Sequence, residues 1–289
     1  MQKNPKLRIA LLTAVAMVAF AGNSLLCRIA LKETSIDPAT FTSVRLASGA
    51  LVLYALIATQ TKTAWSQGSW LSAMALFTYA AGFSFAYVSL PAATGALLLF
   101  GAVQLTMMAY AVARGERLRG ARLFGLSLAI AGLLGLFLPG VSAPPLLGSA
   151  LMIVAGMAWG IYSIRGKTVG SPTLATASNF LRTLPFAGLL SLLSLTTISS
   201  ASSDKHGLLY ALISGALTSG LGYAIWYRVL PELRSYTAAV VQLSVPVIVV
   251  VGGVLFLDEA INLRVTLASL AILGGIALVV MQRAQATQR

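Results

Sequence analysis

Charge is scarce in this sequence. Of its 289 residues, 7 are acidic and 9% are charged of either sign, too little polar surface to coat a soluble globule of this length. Cysteine and histidine occur once each. Cys27 alone makes no internal disulfide and no cysteine metal site, and His206, beside Asp204 and Lys205, reads as a solvated loop residue. No metal and no cofactor is expected. The acids are Glu33, Asp37, Glu116, Asp204, Glu232, Asp258 and Glu259, and all fall in loops or at the ends of apolar runs. An enzyme acting within a membrane needs a nucleophile with its base, paired acids or metal ligands around one cavity. The apolar runs hold no such set, nor a carboxylate to carry a proton or sodium. A glycine-rich phosphate loop with its Lys-Ser/Thr is missing too, which argues against direct use of ATP.

What fills the chain is apolar residues, 58% of the total. A bilayer core of about 30 Å takes roughly 20 helical residues to cross. Uncharged runs of about that length extend from Ile9 to Leu31, Pro38 to Thr59, Trp70 to Leu90, Ala92 to Ala113, Leu123 to Pro139, Leu147 to Ile164, Thr173 to Ile198, Leu208 to Tyr227, Tyr236 to Leu257 and Val265 to Met281. They are continuously apolar and too long for spanning strands, so an all-α polytopic membrane protein with ten transmembrane helices is expected. Asp37 followed by Pro38 predicts an N-cap with proline at the first helical position, and Pro139-Gly140 predicts a stop. The first run, with "AFA" at Ala19–Ala21, imitates a cleaved secretory signal; the repeat described next argues for keeping it.

Two decapeptides, "GFSFAYVSLP" at Gly82–Pro91 and "GYAIWYRVLP" at Gly222–Pro231, share glycine, tyrosine, leucine and proline in register. "VAMVAFAGNSLLCR" at Val15–Arg28 likewise aligns with "VAGMAWGIYSIRGK" at Val154–Lys167, Arg45 with Arg182, Thr94 with Thr237, Glu116 with Glu259 and Gly132 with Gly275. The chain reads as five helices written twice, residues 1–140 and 141–289, in one membrane domain. An odd number of spans makes the second copy enter from the opposite face, giving inverted repeats around a central cavity, an arrangement characteristic of secondary transporters.

The 20 Lys and Arg give a net charge of +13. They gather at the N-terminus, in the loops after even-numbered spans and at the C-terminus; Arg28, Lys32, Lys205 and Arg264 fall on the other side. Cytoplasmic loops retain basic residues, so both termini are expected in the cytoplasm. The same scatter over separate loops accounts for the charge without nucleic acid.

The ten-helix plan, "GERL" at Gly115–Leu118, "AGLLGLFLP" at Ala131–Pro139, "GLGYAIWYRVL" at Gly220–Leu230 and "QLSVPVIVVVGGVLFLDE" at Gln242–Glu259 resemble the drug/metabolite transporter superfamily, its EamA-type members, over essentially the whole chain. Within it, the chain is similar to exporters of aromatic amino acids in the bacterial inner membrane. That resemblance implies export of amino acids and similar metabolites, with the third, fourth, eighth and ninth helices and help from the first and sixth around the cavity. A broad exporter of drugs or other metabolites is the alternative; a scaffold that transports nothing leaves the duplication unexplained.

Side chains suited to line such a cavity are Tyr79, Phe83 and Tyr87, recurring every four residues, Phe100 and Gln104, Trp159 and Tyr162, Asn23, Tyr223, Trp226, Gln242 and Ser244. Aromatic walls accept an apolar side chain while amides and hydroxyls bind an ammonium and a carboxylate. Ser84, Thr218 and Ser219 are expected to bond preceding helical carbonyls instead. Arg45 and Arg182 lie inside spans; snorkelling or a bond to carbonyls of broken helices is the favoured reading, a carboxylate clamp the other. Pro91 and Pro231 end mirrored spans and suit paired gates, and Pro246 in the ninth either kinks it, opening a polar spot beside Gln242, or is tolerated as curvature. Glycines at 132, 135, 156, 160, 252, 253, 274 and 275 are expected to let helices approach closely. A small-molecule substrate, a lipid bilayer and a monomer complete the expectation.

Overall fold

The structure is a computed structural model; it describes residues 5–58, 67–115, 120–138, 143–166, 170–197, 202–233 and 235–286. The expected repeat boundary at 140/141, the stop at Pro139-Gly140, and Glu116 and Lys167 lie outside the described residues.

Helices α1 (Pro5–Glu33), α2 (Pro38–Ile57), α3 (Trp70–Tyr87), α4 (Ala92–Ala113), α5 (Ala121–Leu136), α6 (Leu146–Gly166) and α7 (Pro172–Thr197) form the first seven spans. The eighth is compound: α8 (Lys205–Ile213) runs through a π-helix, Ser214–Leu221, into α9 (Gly222–Val229). The ninth, expected to be continuous, is divided into α10 (Ser235–Gln242) and α11 (Ser244–Leu257), and α12 (Leu263–Ala286) is the tenth. No strand occurs among the described residues. Among the described residues seven helical segments suffice by length and composition to cross a membrane, and α5 is a shorter apolar helix. Leu51, Leu134, Leu192, Phe256 and Leu270 project outward from five different spans, as lipid-facing groups do.

Local chemistry sets the helix starts. Asp37 Oδ1 accepts from the amides of Ala39 and Thr40, both at 2.9 Å, with Pro38 at the first position. Ser69 and Asp204 cap α3 and α8 in the same way. Pro246 accounts for the break in the ninth span: it has no N–H for the carbonyl of Gln242, one turn back, and Leu243 N–H bonds Val240 O at 3.0 Å instead.

Helix ends define two faces. On the near face lie the starts of α1, α3 and α7 and the ends of α6 and α9; on the far face lie the starts of α2, α4 and α8 and the ends of α1, α3 and α11. The first span therefore runs near to far and the sixth far to near, the inversion expected of the repeat. Packing obeys the same exchange. Spans two and seven, four and nine, and five and ten pair with each other; the pairing of three with six is matched by eight with one, and four with six by nine with one. Most of this packing joins the halves. Glycine permits a close approach between α5 and α12: a Cβ on Gly275 would stand 2.7 Å from Ala129 N. Gly135 and Gly274, expected to act likewise, face open space.

Candidate functional site

At the centre, polar groups from four spans form a chain of hydrogen bonds that begins and ends on the π-helix. Ser214 Oγ donates to Asn23 Oδ1 at 2.8 Å, and Asn23 Nδ2 donates to the Tyr79 hydroxyl at 3.2 Å. The same hydroxyl accepts from Arg45 Nη2 at 3.2 Å, while Arg45 Nε donates to Ser219 Oγ, also at 3.2 Å. Ser214 and Ser219 are five apart, the repeat of a π-helix, so both address one side. Gly215 brings this segment against α2: a Cβ there would collide with Ser48 Oγ and the Arg45 carbonyl.

Aromatic rings surround the chain. Tyr79 lies 5.4 Å from Phe83 and 4.8 Å from Trp159, and Trp159 continues to Tyr162 at 5.5 Å and to Tyr223 at 5.2 Å. Tyr223 in turn meets Phe20 and Phe180. The Arg45 guanidinium stands over the rings of Tyr79 and Phe83, 5.3 and 5.1 Å from their centres.

Toward the near face the cluster reaches, through Tyr162, the wall of a polar vestibule of about 170 Å³, lined also by Ser69, Ser72, Arg165, Thr176, Asn179 and Tyr227 among others. Arg165 Nε and Nη2 donate to Ser72 and Ser69 at 3.0 and 3.2 Å, and Asn179 Oδ1 accepts from Ser69 N at 2.9 Å. A second, more apolar groove of about 610 Å³ lies between α1 and the ninth span, lined by Thr13, Met17, Val241, Ser244 and Ile248.

The far face is pinned shut around Pro91. Arg28 Nε lies 3.0 Å from Glu259 Oε1, and Arg28 Nη1 donates to the carbonyls of Tyr87 and Val88, the open end of α3. Glu259 Oε2 accepts from Ala92 N at 2.6 Å, supplying the cap that Pro91 cannot give α4. The two charges complement the dipoles of the two helix ends they touch. Asp258, in the left-handed conformation with φ 52°, turns the chain so that Glu259 points back, and Lys32 Nζ caps Leu257 O at 3.0 Å. The duplicated decapeptides thus sit in opposite surroundings: Tyr87 is sealed beneath this latch, and its partner Tyr227 lines the vestibule.

Of the residues expected to line a cavity, Asn23, Tyr79, Phe83, Trp159, Tyr162 and Tyr223 come together in the central cluster, and Trp226 touches it through Phe20. Phe100 is half-buried between the two apolar cores, and Gln104 is buried one turn further along α4. Gln242 and Ser244 flank the helix break, with Ser244 on the outer groove and donating to Val241 O at 2.7 Å. Pro91 and Pro231 are both exposed at span ends.

Two expectations need correcting. Ser84 and Thr218 do bond helical carbonyls, but Ser219 receives Arg45 instead. Arg45 neither snorkels nor bonds a helix carbonyl: it is 2% exposed and bonds two hydroxyls, whereas Arg182 bonds the carbonyl and hydroxyl of Ser178 in its own helix. Arg165, Thr176, Asn179 and Ser214 were not singled out in the sequence. Asn179, an amide inside an apolar run, was the one signal available.

Residues 146–281 match the EamA-like transporter family. An uncharacterized protein of Pseudomonas aeruginosa is 54% identical over 96% of each chain. A protein of Escherichia coli named as a probable amino-acid metabolite efflux pump is 29% identical over 65% of this chain and 67% of its own length, and an uncharacterized transporter of Archaeoglobus fulgidus is 26% identical over 92% and 95%. A solved crystal structure superposes with a TM-score of 0.67 over 95% of this chain and 98% of that one, at 18% identity, which marks a shared fold.

Proposed function

Because residues 146–281 match the EamA-like transporter family, we propose that the chain exports amino acids with apolar or neutral side chains, and related metabolites, across a bacterial inner membrane. The observation that carries this reading is the asymmetry between faces: a polar vestibule opens toward an aromatic cluster on one side, while Arg28 and Glu259 seal the other. The bias of Lys and Arg supports a cytoplasmic position for the open face, so that this conformation would receive solute from inside.

Rocking of the third and fourth spans against the eighth and ninth would release the latch and close the vestibule, exposing the central cluster to each side in turn. Pro91 and Pro231 sit where those motions hinge, and the break at Leu243, imposed by Pro246, lets the ninth span bend. Among the central residues Asn23, Tyr79, Phe83, Trp159, Tyr162 and Tyr223 would contact solute first. Phe100, Gln104, Gln242 and Ser244 would join only after movement. None of the described acids lies within the central cluster, which favours facilitated diffusion or exchange driven by the solute gradient.

The apolar groove beside α1 favours a second reading, a broad-specificity exporter of drugs or other metabolites. Purified protein in vesicles, loaded with labelled threonine, methionine, phenylalanine or tryptophan, separates the two. Saturable and mutually competitive flux supports amino-acid export; absence of flux for all four argues against it.

A further inference from the structure

We propose that Arg45 holds the anionic group of the transported solute, so that the solute class is one bearing a free carboxylate rather than a cation or an uncharged drug. This rests on the transport reading above and deepens its central site.

Other basic side chains show what is unusual about Arg45. Arg28 has Glu259, Lys32 has Glu33 and a helix-end carbonyl, and Arg182 has a carbonyl of its own helix. Arg45 is 2% exposed and bonds only two neutral hydroxyls, those of Tyr79 and Ser219. Its Nη1 is buried with no acceptor. A guanidinium stays charged in any protein environment, and burial without an opposing charge costs more than two neutral hydrogen bonds and two ring faces return. The interior therefore holds a fixed positive charge, and no described carboxylate pairs with it.

Two ring contacts lead from the vestibule to the neighbourhood of the unused donor. Trp159 stands between Tyr162, on the vestibule wall, and Tyr79, which already touches Arg45. A carboxylate that displaced the Tyr79 hydroxyl would take Nη1 and Nη2 together, the two-pronged geometry that guanidinium favours. The freed hydroxyl and the Asn23 amide would remain beside it, and the rings of Phe83, Trp159 and Tyr223 would receive an apolar side chain. A cationic solute would meet the like charge of Arg45 in surroundings that screen it poorly.

The test compares matched ligands on the purified full-length chain in detergent, read by intrinsic fluorescence and by ligand-induced change in Tm. The pairs are threonine, methionine, phenylalanine and tryptophan against their carboxamides, with acetate as a bare anion. At least one acid should bind saturably, its amide at least about tenfold more weakly, and acetate should not compete in the same range. Arg45→Met should weaken that acid by at least about tenfold, with Arg45→Lys between. Equal binding of acid and amide, no binding of any acid, equal competition by acetate, or a folded Arg45→Met chain that binds the acid unchanged would each overturn the assignment. If Arg45→Met does not fold, the matched pairs on the unaltered protein and Arg45→Lys decide. Vesicle flux measured in parallel keeps the two readings apart. Arg45-dependent binding without flux sinks transport and leaves the anchor; flux that ignores the carboxylate sinks the anchor and leaves transport.

Discussion

Arg28 and Glu259 are 231 residues apart in sequence and 3.0 Å apart in space. Their side chains retain only 11% and 12% exposure, so the contact works largely out of water. Glu259→Gln leaves Arg28 without its charged partner and should cost about 1–3 kcal/mol of the far-face closure. With Cys27→Ser as background, a cysteine placed at the buried Leu90 should then label faster with a membrane-impermeant maleimide. Unchanged labelling would show that the pair does not hold this face. Cysteines replacing both residues and joined by a thiol crosslinker should lower vesicle flux to background.

The Tyr79 hydroxyl accepts from both Asn23 and Arg45, and its removal leaves two buried donors without a partner. Tyr79→Phe should therefore destabilise by about 1–3 kcal/mol for each donor stranded. Tyr110→Phe, which loses only an exposed bond from Arg114, should change stability by less than about 0.5 kcal/mol. Thermal unfolding in detergent compares them.

Gly215 has no room for a Cβ, because Arg45 and Ser48 of α2 occupy that position. Gly215→Ala should shift the π-helix away from Arg45 and cost about 1–3 kcal/mol or more. At Gly188, on the exposed side of α7, nothing stands within 4 Å, and alanine should stabilise by about 0.5–1 kcal/mol. Recovery of monodisperse protein and Tm report both.

Pro246→Ala supplies the missing N–H to the Gln242 carbonyl and should make the ninth span continuous. Tm should rise while turnover in vesicles falls, since a straight span bends less readily. Turnover equal to that of the unaltered chain would remove the break from the mechanism.

Much of this architecture was legible in the sequence because lipid leaves few alternatives. Apolar length located the rods, Asp37-Pro38 placed a start, and pairing of repeats predicted which spans exchange roles. The aromatic cluster was legible through four-residue spacing on α3 and through the repeat. The position of Arg45 was not, since burial of a charge depends on partners from α1, α3 and the π-helix. Nor did any local signal mark Ser214–Leu221, where "SGALTSG" reads as ordinary helix; its widened turn places Ser214 and Ser219 together. The break at Leu243 was foreshadowed by Pro246, although the proline itself lies within α11 and the break comes a turn before it. Asn179 and Thr176 escaped because nothing local to α7 tells which of its faces borders a cavity, and only the neighbouring α3 and α6 show it.

The pairing of each half with the other bears on how the chain is assembled. Since α2 rests on α7, α5 on α12 and α3 on α6, the first five helices leave the ribosome with their burial partners still untranslated. Maturation must then wait for the last helix to insert, and the two halves, produced as separate polypeptides in one cell, should find each other.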